Sequence, residues 1–187
     1  FFADLRGYTE ISEAAASGDV VDMLHGFYDE CASAIWNRDG IVNKFIGDAV
    51  LAIFNFPIMR EDHVRQAVIA AVEIQQRCSQ RKRLAVGGAS MGVGIGIHTG
   101  PIVAGVVGKK KYAYDIWGDT VNIASRMESS SEPGKVNISS ATYNRIKGAY
   151  NCTYRGKISA KNIGEIDMYF VEATIEKPKE ELAPAIA

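Results

Sequence analysis

The chain has 187 residues, 47% of them hydrophobic and 23% charged. That length suits one globular domain with its own core, and the composition excludes a disordered, collagen-like or coiled-coil protein. The 21 lysines and arginines are balanced by 22 aspartates and glutamates, for a net charge of −1. This balance gives no reason to expect a nucleic acid or an anionic membrane as a partner. Any phosphate chemistry must therefore depend on a few individually placed residues.

The cysteines and the chain ends indicate the setting of the protein. Cys31, Cys78 and Cys152 lack the paired spacing of a disulfide framework or a zinc site, so a cytoplasmic location is expected. No apolar run approaches the roughly 18 residues of a membrane span, and no signal peptide opens the sequence. We expect residues 1–175 to be one domain of a longer protein, which another segment could tether to a membrane. Residues 176–187 are charged and contain prolines, as a tail or linker does.

The first half of the chain alternates strand-like and helix-like segments. The spacing of apolar residues predicts, in order, a strand at 1–5, a helix at 20–36, a hairpin of strands 41–45 and 49–54, and a helix at 61–78. Thr9 is the expected N-cap of a helix after the first strand. A Gly-Asp pair at the hairpin tip is typical of a tight turn.

The second half continues in the same way. We expect a loop at 81–90, strands at 91–98 and 101–107 joined at Thr99-Gly100, a helix from Asp119 as its N-cap to about 129, a strand at 135–139, a short helix at 141–147 and a strand at 168–173. The order strand, helix, hairpin, helix, strand predicts an α+β fold. Its core is a ferredoxin-like βαββαβ layer, an antiparallel-rich sheet with helices on one face, elaborated by a C-terminal α/β part.

Two aspartates occupy positions that suit metal binding. Asp4 ends the first strand and Asp48 lies at the hairpin tip, and central strands of a ferredoxin-like sheet would bring these points together. Converging carboxylates suit Mg²⁺ or Mn²⁺, which take one or two protein carboxylates and leave other positions to phosphate and water. The alternative for Asp48 is a plain turn residue. Asp4 is harder to explain without a ligand, because a carboxylate is costly beside Phe1 and Phe2 in a buried strand.

Two further segments could contact a nucleotide. Backbone amides of residues 5–9, which include Gly7, Tyr8 and Thr9, would point from a turn toward a helix N-terminus and could hold phosphate, although most such junctions bind nothing. Asn122 and Arg126 are four residues apart on a predicted helix, so they share a face and could meet a sugar and a phosphate. The alternative is a solvated polar face.

Four segments together resemble a known family. FADLRGYT at residues 2–9, KFIGDAVLAIF at 44–54, GIGIHTG at 94–100 and YDIWGDTVNIASRM at 114–127 are similar, in the same order, to successive motifs of class III nucleotidyl cyclase catalytic domains. The resemblance covers residues 1 to about 173. Four long motifs in order are far more specific than any one of them.

The resemblance implies a role for each matched position. The metal-binding positions are Asp4, Leu5 and Asp48, for two divalent cations, Mg²⁺ or Mn²⁺; the positions that orient the ribose and stabilise the pentavalent phosphate are Asn122 and Arg126; the purine-selecting positions are Lys44 and Asp115. A lysine with an aspartate is the adenine-selective combination in the family. The chemistry agrees, because a lysine can donate to adenine N1 and an aspartate can accept from the exocyclic amine.

The resemblance also implies a partner and a reaction. Family members work as head-to-tail dimers, so we expect a homodimer in which the metal aspartates of one protomer meet the purine- and phosphate-binding residues of the other. The expected reaction converts ATP to 3′,5′-cyclic AMP and pyrophosphate, under the control of regulatory domains in the full-length chain. Alternatives are a guanylate cyclase and a catalytically silent nucleotide-binding or dimerisation module.

Two positions depart from the family pattern where the triphosphate would be held. Some members carry an arginine for the terminal phosphates where this chain has Gly94. Members usually place a phosphate-binding lysine in a Lys-Gly-Lys-Gly-like turn before the last strand, and this chain has Lys-Asn-Ile-Gly at 161–164. Lys161 is the candidate for that role.

Overall fold

The computed structural model describes residues 1–80, 85–86, 89–90, 92–110, 112–160 and 164–174. The elements are β1 (Phe2–Leu5), α1 (Tyr8–Ala14), α2 (Ser17–Trp36), β2 (Ile41–Ile46), β3 (Ala49–Ile53), α3 (His63–Gln80), β4 (Ala85–Val86), β5 (Ala89–Ser90), β6 (Val93–Ile97), β7 (Val103–Val107), β8 (Ala113–Trp117), α4 (Asp119–Ser129), β9 (Val136–Ser139), α5 (Ser140–Ile146), β10 (Tyr150–Ala160) and β11 (Gly164–Thr174). Among these residues no helix is both long and apolar enough to span a bilayer. The tail predicted at 176–187 lies outside the described residues.

One seven-stranded sheet organises the chain. Its strand order is β10-β11-β9-β6-β1-β3-β2, and every neighbouring pair is antiparallel except the parallel pair of β6 and β9. The block β6-β1-β3-β2 contains the first strand, the hairpin and the strand after α3, which is the arrangement of a ferredoxin-like βαββαβ unit. The predicted α+β fold with a mostly antiparallel sheet is therefore confirmed.

Alternation along β1 divides the core between the two faces of the sheet. Ala3 and Leu5 are buried with residues of α2 and α3, while Phe2 is buried on the other face with Ile116 of β8 and Ala124 of α4. The helices of the ferredoxin-like unit thus lie on one face, as expected, and α4 of the elaborated part covers the opposite face. Asp4 has the same parity as Phe2 and therefore points to the side of α4.

A close approach of backbones holds α4 on the sheet. A Cβ built on Gly96 of β6 would lie 2.0 Å from the backbone nitrogen of Glu128, so only glycine leaves room for the helix there. Asn137 of β9 supports the same contact, because its buried side-chain amide donates to the carbonyl of Met127 at 2.8 Å. The position of α4 is therefore fixed by backbone contacts as well as by apolar packing.

Both predicted helix N-caps are wrong. The N-cap of α1 is Gly7, at φ 77°, and Thr9 lies inside the first turn. The N-cap of α4 is Gly118, at φ 131°, and Asp119 is the first helical residue. In each case a glycine makes a positive-φ turn into the helix, which a threonine or aspartate adopts only with strain. Neither helix has a side-chain hydrogen bond at its N-cap.

The second half contains strands that were not predicted. Of the strands predicted at 91–98 and 101–107, β6 joins the main sheet, and β7 pairs in a separate hairpin with β8, which was not predicted. The loop predicted at 81–90 contains the short paired strands β4 and β5. The long strand β10 was not predicted, because register shifts between Asn151 and Cys152 and between Tyr154 and Gly156 interrupt its alternation.

Candidate active site

The two predicted metal aspartates are brought together by strand pairing. Asp4 is paired with Ala49, the residue that follows Asp48, so the turn between β2 and β3 places Asp48 beside the end of β1. The two carboxyls are close enough to share a hydrogen bond. Burial, and next the negative charge of Asp48, raise the pKa of Asp4 to about 6. The predicted convergence of these side chains is confirmed.

The chemistry of this pair fits a divalent cation. Asp4 Oδ1 is buried and lacks a hydrogen-bond partner among the described residues, and the neighbouring charge of Asp48 disfavours ionisation of Asp4, so a cation would use this oxygen and offset the repulsion. Leu5 is a core residue and only 2% exposed, and its role as a metal ligand stays a prediction. No group of three or more histidines, cysteines or acidic residues converges within the described part of the chain. A site with few carboxylates suits Mg²⁺ or Mn²⁺.

Arg6 and Glu128 border the aspartates and were missed by the sequence analysis. The Arg6 guanidinium lies 3.8 Å from Asp4 Oδ2 and 2.7 Å from Glu128 Oε1, which ties β1 to the last turn of α4. A Cβ on Gly94 would lie 2.2 Å from Arg6 Nη2, so the space beside this glycine is filled by the guanidinium. Burial raises the pKa of Glu128 to about 7. The absence of an arginine at position 94 was a sequence signal, since it leaves room for a cation from another strand.

The turn after Asp4 leads directly into α1. Gly7 is the N-cap, and Tyr8 and Thr9 are the first two helical residues. Because no side chain caps this end, the first backbone N–H groups of α1 keep their donor capacity. Phosphate binding by Gly7, Tyr8 and Thr9 stays a prediction.

Lys44 and Asp115 form an ion pair across β2 and β8. Lys44 Nζ donates to Asp115 Oδ2 at 2.6 Å, and Asn43 Nδ2 donates to Asp115 Oδ1 at 3.0 Å. The backbone nitrogen of Ile116 donates to Asp115 Oδ1 at 2.8 Å. These hydrogen bonds, that of Lys44 first, lower the pKa of Asp115 below its usual value, so its carboxylate is ionised at neutral pH. The two predicted purine-selecting residues are therefore in direct contact, and Asn43 contacts the same carboxylate.

The predicted ribose and phosphate residues are exposed on one face of α4. Asn122 and Arg126 both face solvent, and Arg126 Nη1 donates to the carbonyl of Ser159 on β10 at 2.9 Å. Within the described ranges, neither side chain forms a hydrogen bond or ion pair with Asp4 or Asp48. The paired aspartates and the polar face of α4, called the two half-sites, are therefore not in polar contact within the described ranges. Lys161, the predicted triphosphate ligand, lies outside the described residues.

Comparison with known proteins decides the family. Residues 1–173 match the family described as the adenylate and guanylate cyclase catalytic domain. The chain belongs to this family. The cyclase domain is 34% identical over 186 residues to guanylate cyclase 32E of Drosophila melanogaster. This alignment covers 98% of this chain and 16% of that protein. It is 33% identical over 174 residues to an adenylate cyclase of Mycobacterium tuberculosis, which covers 91% of this chain and 38% of the relative.

A solved structure agrees with the fold of this cyclase domain. The guanylate cyclase domain of RhGC from Catenaria anguillulae, solved in complex with GTP, superposes with a TM-score of 0.86 at 32% identity, over 93% of this chain and 94% of that chain. The domain spans 16% to 38% of the length of the two relatives above. These relatives include an adenylate cyclase and a guanylate cyclase. Family membership therefore establishes a nucleotidyl cyclase domain, while the choice between ATP and GTP has to be argued from the residues of the site.

Proposed function

We propose that this cyclase domain converts ATP to 3′,5′-cyclic AMP and pyrophosphate. The observation that carries the proposal is the Lys44–Asp115 pair, with Nζ and Oδ2 2.6 Å apart. Adenine presents an acceptor at N1 beside a donor at its exocyclic amine, whereas guanine presents a donor at N1 beside a carbonyl acceptor. A cation beside a carboxylate matches the adenine edge, and a mismatched edge leaves polar groups unpaired.

The reaction assigns one task to each half-site. The ribose 3′-hydroxyl gives its proton to water or to the substrate, and its oxygen forms a bond to the α-phosphorus while the bond from that phosphorus to the bridging oxygen breaks and pyrophosphate leaves. Divalent cations held by Asp4 and Asp48 would supply the charge that acidifies the 3′-hydroxyl and neutralises the triphosphate. Asn122 orients the ribose, and Arg126 meets the negative charge that develops on the α-phosphate.

We further propose that the working unit is a head-to-tail homodimer. Among the residues that the structure describes, the aspartate pair and the polar face of α4 make no polar contact within one chain, so a second copy would complete each site. The hairpin of β7 and β8 supports this arrangement, because Val103 and Val106 are 67% and 65% exposed and Tyr112 is 74% exposed. Apolar side chains on a two-stranded ribbon suit contact with another protein surface.

A side-by-side assay tests the purine assignment. Purified protein is incubated with ATP or GTP in Mg²⁺ or Mn²⁺, and the cyclic product is quantified by mass. We expect cyclic AMP, and a kcat/KM for ATP at least about tenfold above that for GTP. Asp48→Asn is the matched control and should form no product. A preference for GTP would identify a guanylate cyclase, and calorimetric ATP binding without turnover would identify a silent module.

A further inference from the structure

The strand that carries Lys44 contains an irregularity beside the purine-selecting pair. Val42 pairs with Ala52 and Lys44 pairs with Leu51, so β2 has one residue more than β3 at this point. The extra residue is Asn43. In a regular strand, consecutive side chains point to opposite faces of the sheet. The bulge instead lets the side chains of Asn43 and Lys44 both reach Asp115 on β8.

The Asp115 carboxylate is held from three directions. Lys44 Nζ binds Oδ2, while Asn43 Nδ2 and the backbone nitrogen of Ile116 bind Oδ1. Two donors on one oxygen and one on the other restrict rotation of the carboxyl plane. An ionised carboxylate offers about four acceptor directions, so one direction is left for a donor from a ligand.

Asn43 and Lys44 differ in what they do once a purine is bound. Lys44 is an exposed, flexible side chain whose ammonium would turn to the ring nitrogen of adenine. The Lys44 ammonium would then donate both to Asp115 Oδ2 and to the ligand. Asn43 lies in the sheet and is partly buried, so its amide stays on Oδ1 whether or not a purine is present.

The side-chain oxygen of Asn43 is buried without a hydrogen-bond partner among the described residues. A carboxylate accepts hydrogen bonds and does not donate, so contact with Asp115 requires the nitrogen to face Oδ1. Asn43 Oδ1 is then buried, and within the described part of the chain it has no hydrogen-bond partner. A buried acceptor without a donor opposes folding. A hydrophobic residue would avoid this penalty, which indicates that the contact with Asp115 has a use beyond stability.

We propose that Asn43 is a positioning residue for purine selection: it orients Asp115 so that the remaining acceptor direction of the carboxylate meets the exocyclic amine of the base. This inference rests on the proposed function and extends it to a residue that does not itself touch the substrate. Without Asn43, Asp115 rotates, and the advantage of a base that carries the amine is lost.

The test compares two nucleotides that differ only in this amine. ATP and purine riboside triphosphate share the ring nitrogen that Lys44 would contact, and only ATP carries the exocyclic amine. Asn43→Leu keeps the side-chain size and removes the donor. We expect kcat/KM for ATP to fall about tenfold and kcat/KM for the analogue to change less than about twofold. The matched control, Asn144→Leu at an exposed position of α5, should leave both values unchanged.

A double-mutant comparison separates positioning from general damage. Asp115→Ala alone should lower kcat/KM for ATP to the kcat/KM of purine riboside triphosphate. Adding Asn43→Leu to that variant should lower kcat/KM for ATP no further. An equal loss for both nucleotides, or no loss for ATP, overturns the proposal. If the wild-type protein forms no product, calorimetric binding of the same two nucleotides in Mg²⁺ replaces turnover. Selective loss of ATP binding in Asn43→Leu would then support Asn43 although the proposed activity had failed, and absence of binding would overturn both.

Discussion

The Asp4 carboxyl shows how a single residue can make cation binding depend on pH. Burial and the neighbouring Asp48 raise its pKa to about 6 from 3.8. Between about pH 3.8 and pH 6, Asp4 of the folded, cation-free protein therefore keeps a proton that Asp4 of the unfolded chain has lost. The contribution of this group to stability is fully present below pH 3.8 and is lost as the pH rises through about 6. A bound cation would offset that loss.

Mn²⁺ affinity is accordingly expected to fall as the pH is lowered. Below pH 6 each unit should weaken binding up to about tenfold, because a proton competes with the cation for Asp4. Titration calorimetry with Mn²⁺ between pH 5 and pH 8 measures this slope without requiring catalysis. Asp4→Asn should bind weakly with little pH dependence. An affinity that stays constant from pH 5 to pH 7 in the unmodified protein would contradict the expectation.

Residues of the site differ in how well the sequence predicts them. Asp4, Asp48, Lys44 and Asp115 lie in long motifs that resemble a family, and the structure brings each expected pair together. Arg6 and Asn43 were not predicted, because their contacts depend on neighbouring strands. The Arg6 guanidinium occupies the space that is free because residue 94 of β6 is a glycine. The contact of Asn43 with Asp115 depends on the bulge in β2. Neither feature can be recognised before the register of the strands is known.

At the scale of elements, α4 depends on one close backbone contact. A methyl group on Gly96 would lie 2.0 Å from a backbone nitrogen of α4, and backbone cannot yield as a flexible side chain can. Gly96→Ala should destabilise the domain by about 1–3 kcal/mol and displace the helix that carries Asn122 and Arg126. Thermal unfolding should then begin several degrees lower, at about 2–4 °C per kcal/mol for a chain of this size.

Gly26 provides the matched control for this substitution. It lies within α2, and a methyl group there would meet no atom within 4 Å. Gly26→Ala should therefore raise stability by about 0.5–1 kcal/mol, since alanine is the better helix former. If both alanine variants shifted the melting temperature equally, the close contact at Gly96 would not be what holds α4. The cyclase activity of the Gly96 variant should fall even at temperatures where it remains folded.

Sequence patterns predicted the elements with regular periodicity and missed those without it. The helices α2 and α3 have clear apolar stripes, and the predicted hairpin of β2 and β3 has a Gly-Asp turn. Strand β10 has two register shifts, which remove the alternation that marks a strand. Strand β8 was also not predicted, because its five residues are mostly exposed and show no regular apolar alternation.

At the scale of the whole molecule, the separation of the half-sites predicts complementation between two inactive chains. Asp4→Asn removes a metal ligand and leaves the face of α4 intact, while Arg126→Ala does the reverse. In a mixed head-to-tail dimer, one site contains both substitutions and the other contains neither. If equal amounts of the two variants exchange freely, half of the dimers are mixed and each has one good site of two. We expect about a quarter of the wild-type activity in the mixture and almost none in either variant alone. Native mass spectrometry verifies that mixed dimers form, and their inactivity would show that each site is built from a single chain.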